Sequence, residues 1–260
     1  MFRSTQFTSD LGLGKVAVAA FGLGFVLALH VALLVYCGVR AAAAEPLTDR
    51  WLCVVLWGLY MVALCFFHLS EFMLTASFKP RDVSYDSSWS NHGLTTKLWL
   101  VSTAFLLNHS REYHMALVVS WAEFWLETLL FPSWKAHHMA LLVLGLVLVV
   151  VGQSGRIAAM WTAASNFSHR IEHVKRQEHV LVTHGVYRFV RHPSYMGWFL
   201  WTVGSQVLLA NPLCAVGYTV VSWGFFRDRI PYEEHLLLEF FPEQYPKYRS
   251  RTFSGVPFVR

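Results

Sequence analysis

The chain has 260 residues, of which 55% are hydrophobic and only 14% charged. Soluble domains carry about 25% charged residues, so a soluble globular protein is excluded and a membrane-embedded one is expected. The net charge of +5 does not require nucleic acid: Lys and Arg gather in the cytoplasmic loops of membrane proteins, and 11 of the 21 lie in residues 170–260, which marks that part as cytoplasmic.

The first apolar stretch, Leu13–Val39, holds Gly22 and Gly24 as close-packing points. Its core from Val16 to Tyr36 is too long for a signal-peptide h-region, so it reads as a retained membrane helix. Ala41–Arg50 is a loop, and Trp51–Phe78 is a second crossing with His68 and Glu71 near its end. Lys79–Lys97 is polar. Apolar runs follow at Leu98–Leu107 and Tyr113–Phe131, joined through Asn108, His109, Arg111 and Glu112, a junction too polar for lipid. Pro132 breaks the chain.

Ala136–Val151 then spans about 24 Å at 1.5 Å per residue. It is interrupted by Gly152-Gln153-Ser154-Gly155-Arg156 and resumes at Ile157–Ala164. Arg156 falls near the edge of the hydrocarbon, either in a cavity wall or snorkelling to the interface. Residues 165–191 are polar and histidine-bearing. Met196–Ala210 and Leu213–Phe226 form two short apolar arms turned back at Asn211-Pro212. The tail from Pro242 is basic and aromatic, in the manner of a headgroup-level surface. The expected fold is all-α, with seven to eight transmembrane helices and a cytosol-facing catalytic region at the hairpin. Residues 1–90 would be N-terminal membrane helices, and 91–260 a membrane-embedded core. Cys37, Cys53, Cys65 and Cys214 all sit in apolar runs and read as packing residues, with no metal or disulfide spacing.

If the two arms are antiparallel, the turn brings residues 192–195 and 227–234 together at the base of one hairpin. Gly185 permits a tight turn. Pro193 pushes His192 toward extended backbone, which would leave peptide groups free for a ligand. Tyr187 and Tyr195 offer flat faces for an adenine or a sulfonium. Glu233 lies three and four residues before Leu236 and Leu237 and so shares their inward face. It would pair there with Arg229 or with a cationic ligand group. His169, Glu172 and His173 spell H-x-x-E-H, a zinc pattern when helical. Three fixed letters in a histidine-bearing loop are weak support for a metal, and none is expected. No Rossmann, P-loop or nucleophile-elbow signature occurs.

Several stretches carry a resemblance: Leu106-Leu107-Asn108-His109-Ser110-x-Glu112-Tyr113, Ala163-x-Ser165-Asn166-Phe167, His179-x-Leu181-Val182-x-x-Gly185-x-Tyr187, Arg191-His192-Pro193-Ser194-Tyr195-x-Gly197-Trp198, and Phe225-Phe226-Arg227-Asp228-Arg229-x-x-x-Glu233-Glu234. Together they are similar to the isoprenylcysteine carboxyl methyltransferase family, from about residue 50 onward. The resemblance implies an enzyme of the endoplasmic reticulum membrane, with its site facing the cytosol. It would transfer methyl from S-adenosylmethionine, leaving S-adenosylhomocysteine, to the C-terminal carboxylate of a farnesylated or geranylgeranylated cysteine. Its partners would be CaaX-processed proteins such as small GTPases. Family cofactor contacts carry over to Glu172, His179, Val180, Leu181, Val182, Tyr187, His192, Pro193, Ser194, Tyr195 and Glu233, although Glu172 stands where the family has an amide. Arg229 carries over to the substrate side, and Arg156 is a second cation able to orient a carboxylate.

RHPxYxG alone also fits phospholipid methyltransferases and sterol reductases. A phospholipid N-methyltransferase must deprotonate an amine, which favours a carboxylate over Arg229. A sterol reductase needs a basic pocket for a 2′-phosphate, for which only residues 188–191 offer charge. A receptor or transporter would line a central path with polar residues, whereas here they concentrate at one end.

Overall fold

The structure, a computed structural model, describes residues 13–43, 47–79, 111–175 and 177–259. The expected apolar run at 98–107, most of the polar segment before it, and Asn108 and His109 of the junction lie outside the described residues. Eight α-helices are present among the described residues: α1 (Leu13–Ala42), α2 (Asp49–Phe78), α3 (Arg111–Leu130), α4 (Pro132–Ala136), α5 (Met139–Ala163), α6 (Pro193–Leu208), α7 (Pro212–Phe240) and α8 (Gln244–Arg249). Three helical stretches among these residues are long and apolar enough to cross a membrane: Val16–Ala42, Asp49–Phe78 and Met139–Asn166. The others are shorter or more polar. At 1.5 Å per residue α6 rises only about 24 Å, and α3 carries Arg111, Glu112, Glu123 and Glu127. Contacts divide the chain into two compact units, Met1–Met139 and Ala140–Arg260.

In the first unit α1 lies along α2. Gly22 and Gly24 are not packing points: a Cβ on either would meet nothing within 4 Å. The close approach is at Gly58 of α2, where a Cβ would come to 3.0 Å of the Leu34 side chain. Aromatic residues join α2 to α3. Trp57 sits among Trp121, Phe124 and Trp125, and Trp121 Nε1 donates to Tyr60 Oη at 3.0 Å. Lys135 of α4 is fully buried and pairs with Glu127 at 2.8 Å, as a buried charge requires.

In the second unit α5 runs without a break through 152–156, where composition suggested an interruption. Its buried residues include Leu142, Gly145, Val149, Gly152, Arg156, Ala159 and Ala163, a stripe spaced by threes and fours. The small residues in this stripe serve contact with α6. A Cβ on Gly145 would lie 2.3 Å from Leu208 N, and one on Gly152 would lie 2.5 Å from Trp201 N. From the α6 side, a Cβ on Gly197 would lie 2.6 Å from Gly152 O, and one on Gly204 would meet Leu148 Cβ at 2.6 Å. Four glycines thus let two backbones touch.

The hairpin forms as expected, with α6 against α7 and Asn211 Nδ2 donating to Gln206 Oε1 at 3.2 Å across the turn. Its second arm is longer than the apolar run. The 227–234 cluster does not follow a helix but lies within α7, which continues through Pro231 to Phe240. A proline there removes one backbone hydrogen bond without ending the helix. The tail also departs from expectation. Instead of lying at the surface, Tyr245 and Tyr248 are buried, and Val256 and Val259 pack into a core with Phe199, Phe226 and Ile230.

Candidate active site

One cleft in the second unit gathers most of the residues singled out in the sequence. It measures about 710 Å³, including the space at its mouth, and is lined by His179, Val180, Leu181, Val182, Tyr187, His192, Pro193, Ser194, Tyr195 and Glu233. Asn166, Phe241, Tyr245 and Tyr248 complete much of the wall. Glu172 lies half-buried in the loop below and is not among the lining residues. Arg156 and Arg229 are not on the wall either, but each bonds a residue that is.

Local chemistry explains how these side chains arrive. α5 ends at Ala163, and Asn166 Oδ1 just beyond accepts from Val180 N–H at 3.0 Å, which fixes the 179–182 strip. Gly185 takes φ +57°, where a Cβ would also press on Thr162 at 2.8 Å. The turn it makes aims Tyr187 at the cleft. Burial first, and the charge of Glu233 second, push the Tyr187 phenol above its ordinary value, so it is neutral at physiological pH.

His192 caps α6, with Pro193 as the first helical residue. The peptide groups of Arg191 and His192 are not free, because Arg191 N–H donates to Phe253 O at 2.9 Å and His192 N–H to Ser254 O at 3.1 Å. A segment 62 residues downstream uses them. The His192 ring stacks flat on Tyr195, with centroids 5.4 Å apart and planes 3° apart.

Three polar groups form a chain beside this stack. Arg229 Nε donates to Tyr195 Oη at 2.9 Å, and Tyr195 O–H donates to Glu233 Oε2 at 2.6 Å. Arg229 and Glu233 therefore communicate through a phenol, in place of the direct pair considered from sequence. Arg229 Nη2 also donates to His169 O at 2.8 Å, and its guanidinium lies 5.5 Å from the ring centres of both Tyr195 and Phe225. These contacts hold a half-buried cation in a defined pose. Arg156 is buried, not snorkelling, and Nη1 donates to Ser194 Oγ at 2.9 Å. The three-four spacing of the α5 stripe is the sequence signal that faces it inward.

The residue missed from sequence is Glu234. It is 2% exposed, accepts from Arg191 Nε at 2.7 Å and His192 Nε2 at 3.1 Å, and forms an ion pair with Arg249 Nε at 3.0 Å. Burial alone would raise its pKa, but the hydrogen bonds and charges of His192 and Arg191 outweigh burial and hold it down at about 2. Tyr245 and Tyr248 were also read differently, because an interfacial belt and a buried aromatic wall share one composition. Tyr248 O–H donates to Tyr187 O at 2.6 Å.

The H-x-x-E-H segment is a series of bends, not a helix, so its histidines do not share a helical face. His173 Nδ1 is instead 3.2 Å from Tyr232 Oη. Among the described residues no cluster of His, Cys, Asp and Glu could hold a metal ion. The arginines at 188 and 191 form no phosphate pocket: Arg188 is exposed, and Arg191 is committed to Glu234.

Comparison with known proteins shows the family. The sequence model of the isoprenylcysteine carboxyl methyltransferase family matches residues 143–239. Protein-S-isoprenylcysteine O-methyltransferase of Xenopus laevis is 46% identical over 204 residues, which cover 78% of this chain and 65% of that protein. The Homo sapiens protein of the same name is 41% identical over 246 residues, covering 95% of this chain and 75% of that protein. A solved structure of the eukaryotic intramembrane Ras methyltransferase superposes with a TM-score of 0.78 at 39% identity, covering 94% of this chain and 76% of that one. The chain thus spans about two thirds to three quarters of the length of these relatives. An all-helical membrane protein with this sequence match and this fold belongs to the isoprenylcysteine carboxyl methyltransferase family.

Proposed function

We propose that this chain methylates the C-terminal carboxylate of a prenylated cysteine, with S-adenosylmethionine as donor. The carrying observation is the Arg229–Tyr195–Glu233 chain, which joins a cation and an anion through one phenol hydroxyl at the edge of the cleft. The cleft suits the donor. Glu233 is the acidic side chain on its wall, fit for a cationic group, and Tyr187, Tyr245, Tyr248 and Phe241 offer aromatic faces for an adenine. His179, Val180, Leu181, Val182, Tyr187, the His192–Tyr195 turn and Glu233 would hold it. Glu172 would act from the loop, outside the wall.

When bound, S-adenosylmethionine supplies an electrophilic methyl on a sulfonium. The acceptor carboxylate is already a nucleophile, so the protein needs no general base. What it must supply is alignment and exclusion of water. Arg229, held by Tyr195 and His169 O, orients the carboxylate, and Arg156 braces Ser194 on the donor side. Opposite charges cancel as the methyl moves, so a site of low polarity favours the transition state.

The finer setting belongs to the same proposal. The substrates are CaaX-processed proteins such as small GTPases, and the relative described as a Ras methyltransferase supports this. The site faces the cytosol from the endoplasmic reticulum membrane. Seven to eight crossings belong to the same reading, with the hairpin arms among them. Residues 91–260 form the methyltransferase core behind the N-terminal helices 1–90. The test is transfer of labelled methyl from S-adenosylmethionine to N-acetyl-farnesylcysteine by the purified protein. A base-labile ester is expected. Label confined to lipid amines, or no label at all, rejects the proposal.

A further inference from the structure

We infer that Glu234 is a positioning residue for the cofactor cleft: without facing the ligand, it ties the C-terminal segment and the His192 ring into one wall. The inference rests on the reading of the cleft as the S-adenosylmethionine site.

Glu233 and Glu234 are neighbours on α7, about 100° apart around the helix axis. Glu233 lines the cleft, whereas Glu234 is not among the lining residues and is 2% exposed. Its carboxylate is the meeting point of three cation-forming side chains from two places. Arg191 and His192 come from the turn before α6, and Arg249 comes from α8. Arg191 and His192 make charge-assisted hydrogen bonds to Oε1, the stronger class, and Arg249 adds an ion pair at Oε2.

Each arm leads to the cleft by a different route. Through His192 the effect is direct. Glu234 accepts from Nε2, which fixes the ring's donor at that nitrogen and turns Nδ1 toward Glu233, 3.9 Å away. The ring so held is the one stacked on Tyr195. Through Arg249 the effect is on the segment 244–259. That segment contributes Tyr245 and Tyr248 to the wall and returns Phe253 O and Ser254 O to the backbone of Arg191 and His192. Through Arg191 both routes close on each other, because its Nη1 donates to the carbonyls of Thr252 and Arg249. Gly255, at φ +104°, lets the segment pass Val190, whose side chain a Cβ would meet at 2.5 Å.

The experiment measures S-adenosylhomocysteine binding by calorimetry, protease cleavage within 244–259, and kinetics with N-acetyl-farnesylcysteine. It compares wild type, Glu234→Gln, Glu234→Asp and Arg249→Ala. In Glu234→Gln we expect Kd for S-adenosylhomocysteine, and KM for the donor, to rise about tenfold. We expect kcat at saturating donor to fall less than threefold, KM for the prenylcysteine to hold within twofold, and cleavage of the segment to quicken. Glu234→Asp should recover at least half of the lost affinity on a logarithmic scale. Arg249 is exposed, so Arg249→Ala should fold if Glu234→Gln does not, and should raise Kd about threefold. Folded Glu234→Gln with wild-type Kd overturns the inference. So does equal loss of kcat and affinity, or, where Glu234→Gln fails to fold, Arg249→Ala with wild-type Kd. Wild-type protein that binds no S-adenosylhomocysteine rejects the cofactor reading itself, a result distinct from these.

Discussion

α1 and α5 are both long, apolar and glycine-bearing, yet they use their glycines in opposite ways. On α1 a Cβ added at Gly14, Gly22, Gly24 or Gly38 meets nothing within 4 Å, and Phe21, Phe25 and Val35 stand exposed as lipid-facing side chains would. On α5, Gly145 and Gly152 are in backbone contact with α6. The difference is functional. Arg156 sits one turn beyond Gly152, so the glycine contact sets how far its guanidinium must reach to Ser194. On α1 the glycines carry no packing, whereas on α5 they set the backbone spacing beside the site.

The strongest way to break this contrast is to add the same side chain to both helices. Gly152→Leu must push Trp201 N away from a contact of 2.5 Å that rigid backbone cannot give. It should cost more than about 3 kcal/mol and leave little folded enzyme. Gly22→Leu should change stability by less than about 0.5 kcal/mol. Thermal unfolding in one detergent reads both. Equal losses would mean that α1 packs as tightly as α5.

Next in size is Arg229→Ala, which sharpens the division within the second unit between the donor cleft and the acceptor side. The guanidinium is not on the cleft wall and touches the wall only through Tyr195. We expect kcat/KM for the prenylcysteine to fall about 100-fold, or about 2.7 kcal/mol. Affinity for S-adenosylhomocysteine should stay within about threefold. Equal loss of both would move Arg229 into the cofactor site.

The hairpin, the inward Glu233 and the clustering of 179–195 were legible because each depends on local signals: an Asn-Pro turn, i to i+4 spacing and a dense run of special residues. Arg156 was half legible. It stood out as a cation beside small residues, but its buried direction needed the stripe Leu142 to Ala163 to be read as one uninterrupted helix. Glu234 was not legible, since nothing in a Glu-Glu pair says which carboxylate meets cations brought from 43 residues upstream and 15 downstream. The partnering of Arg191 and His192 backbone by Phe253 and Ser254 has no local signature either. Long-range pairing of irregular segments leaves no period to detect. The zinc-like H-x-x-E-H failed for the opposite reason: its spacing has meaning only on a helix, and the chain there bends.

The smallest expected effect separates the two kinds of fastening in the second unit. α5 and α6 are joined by backbone contact at glycines, which no proton alters. The C-terminal segment is fastened through Glu234, whose pKa is held at about 2 against an ordinary 4.5. A depressed carboxylate stabilises the fold fully above its ordinary value, and that stabilisation is lost as the pH falls toward the folded value. The total at stake is about 3 kcal/mol, of which about 1 kcal/mol is gone by pH 3.5. Between pH 5 and pH 3.5, hydrogen exchange should therefore quicken in 244–259 while amides of α5 and α6 stay protected. Glu234→Gln should already exchange fast in that segment at pH 5, with little further change on acidification. If α5 and the segment loosen together, or if the variant keeps the wild-type pH dependence, then Glu234 is not the fastening, and the tail is held by the Val256 and Val259 core instead.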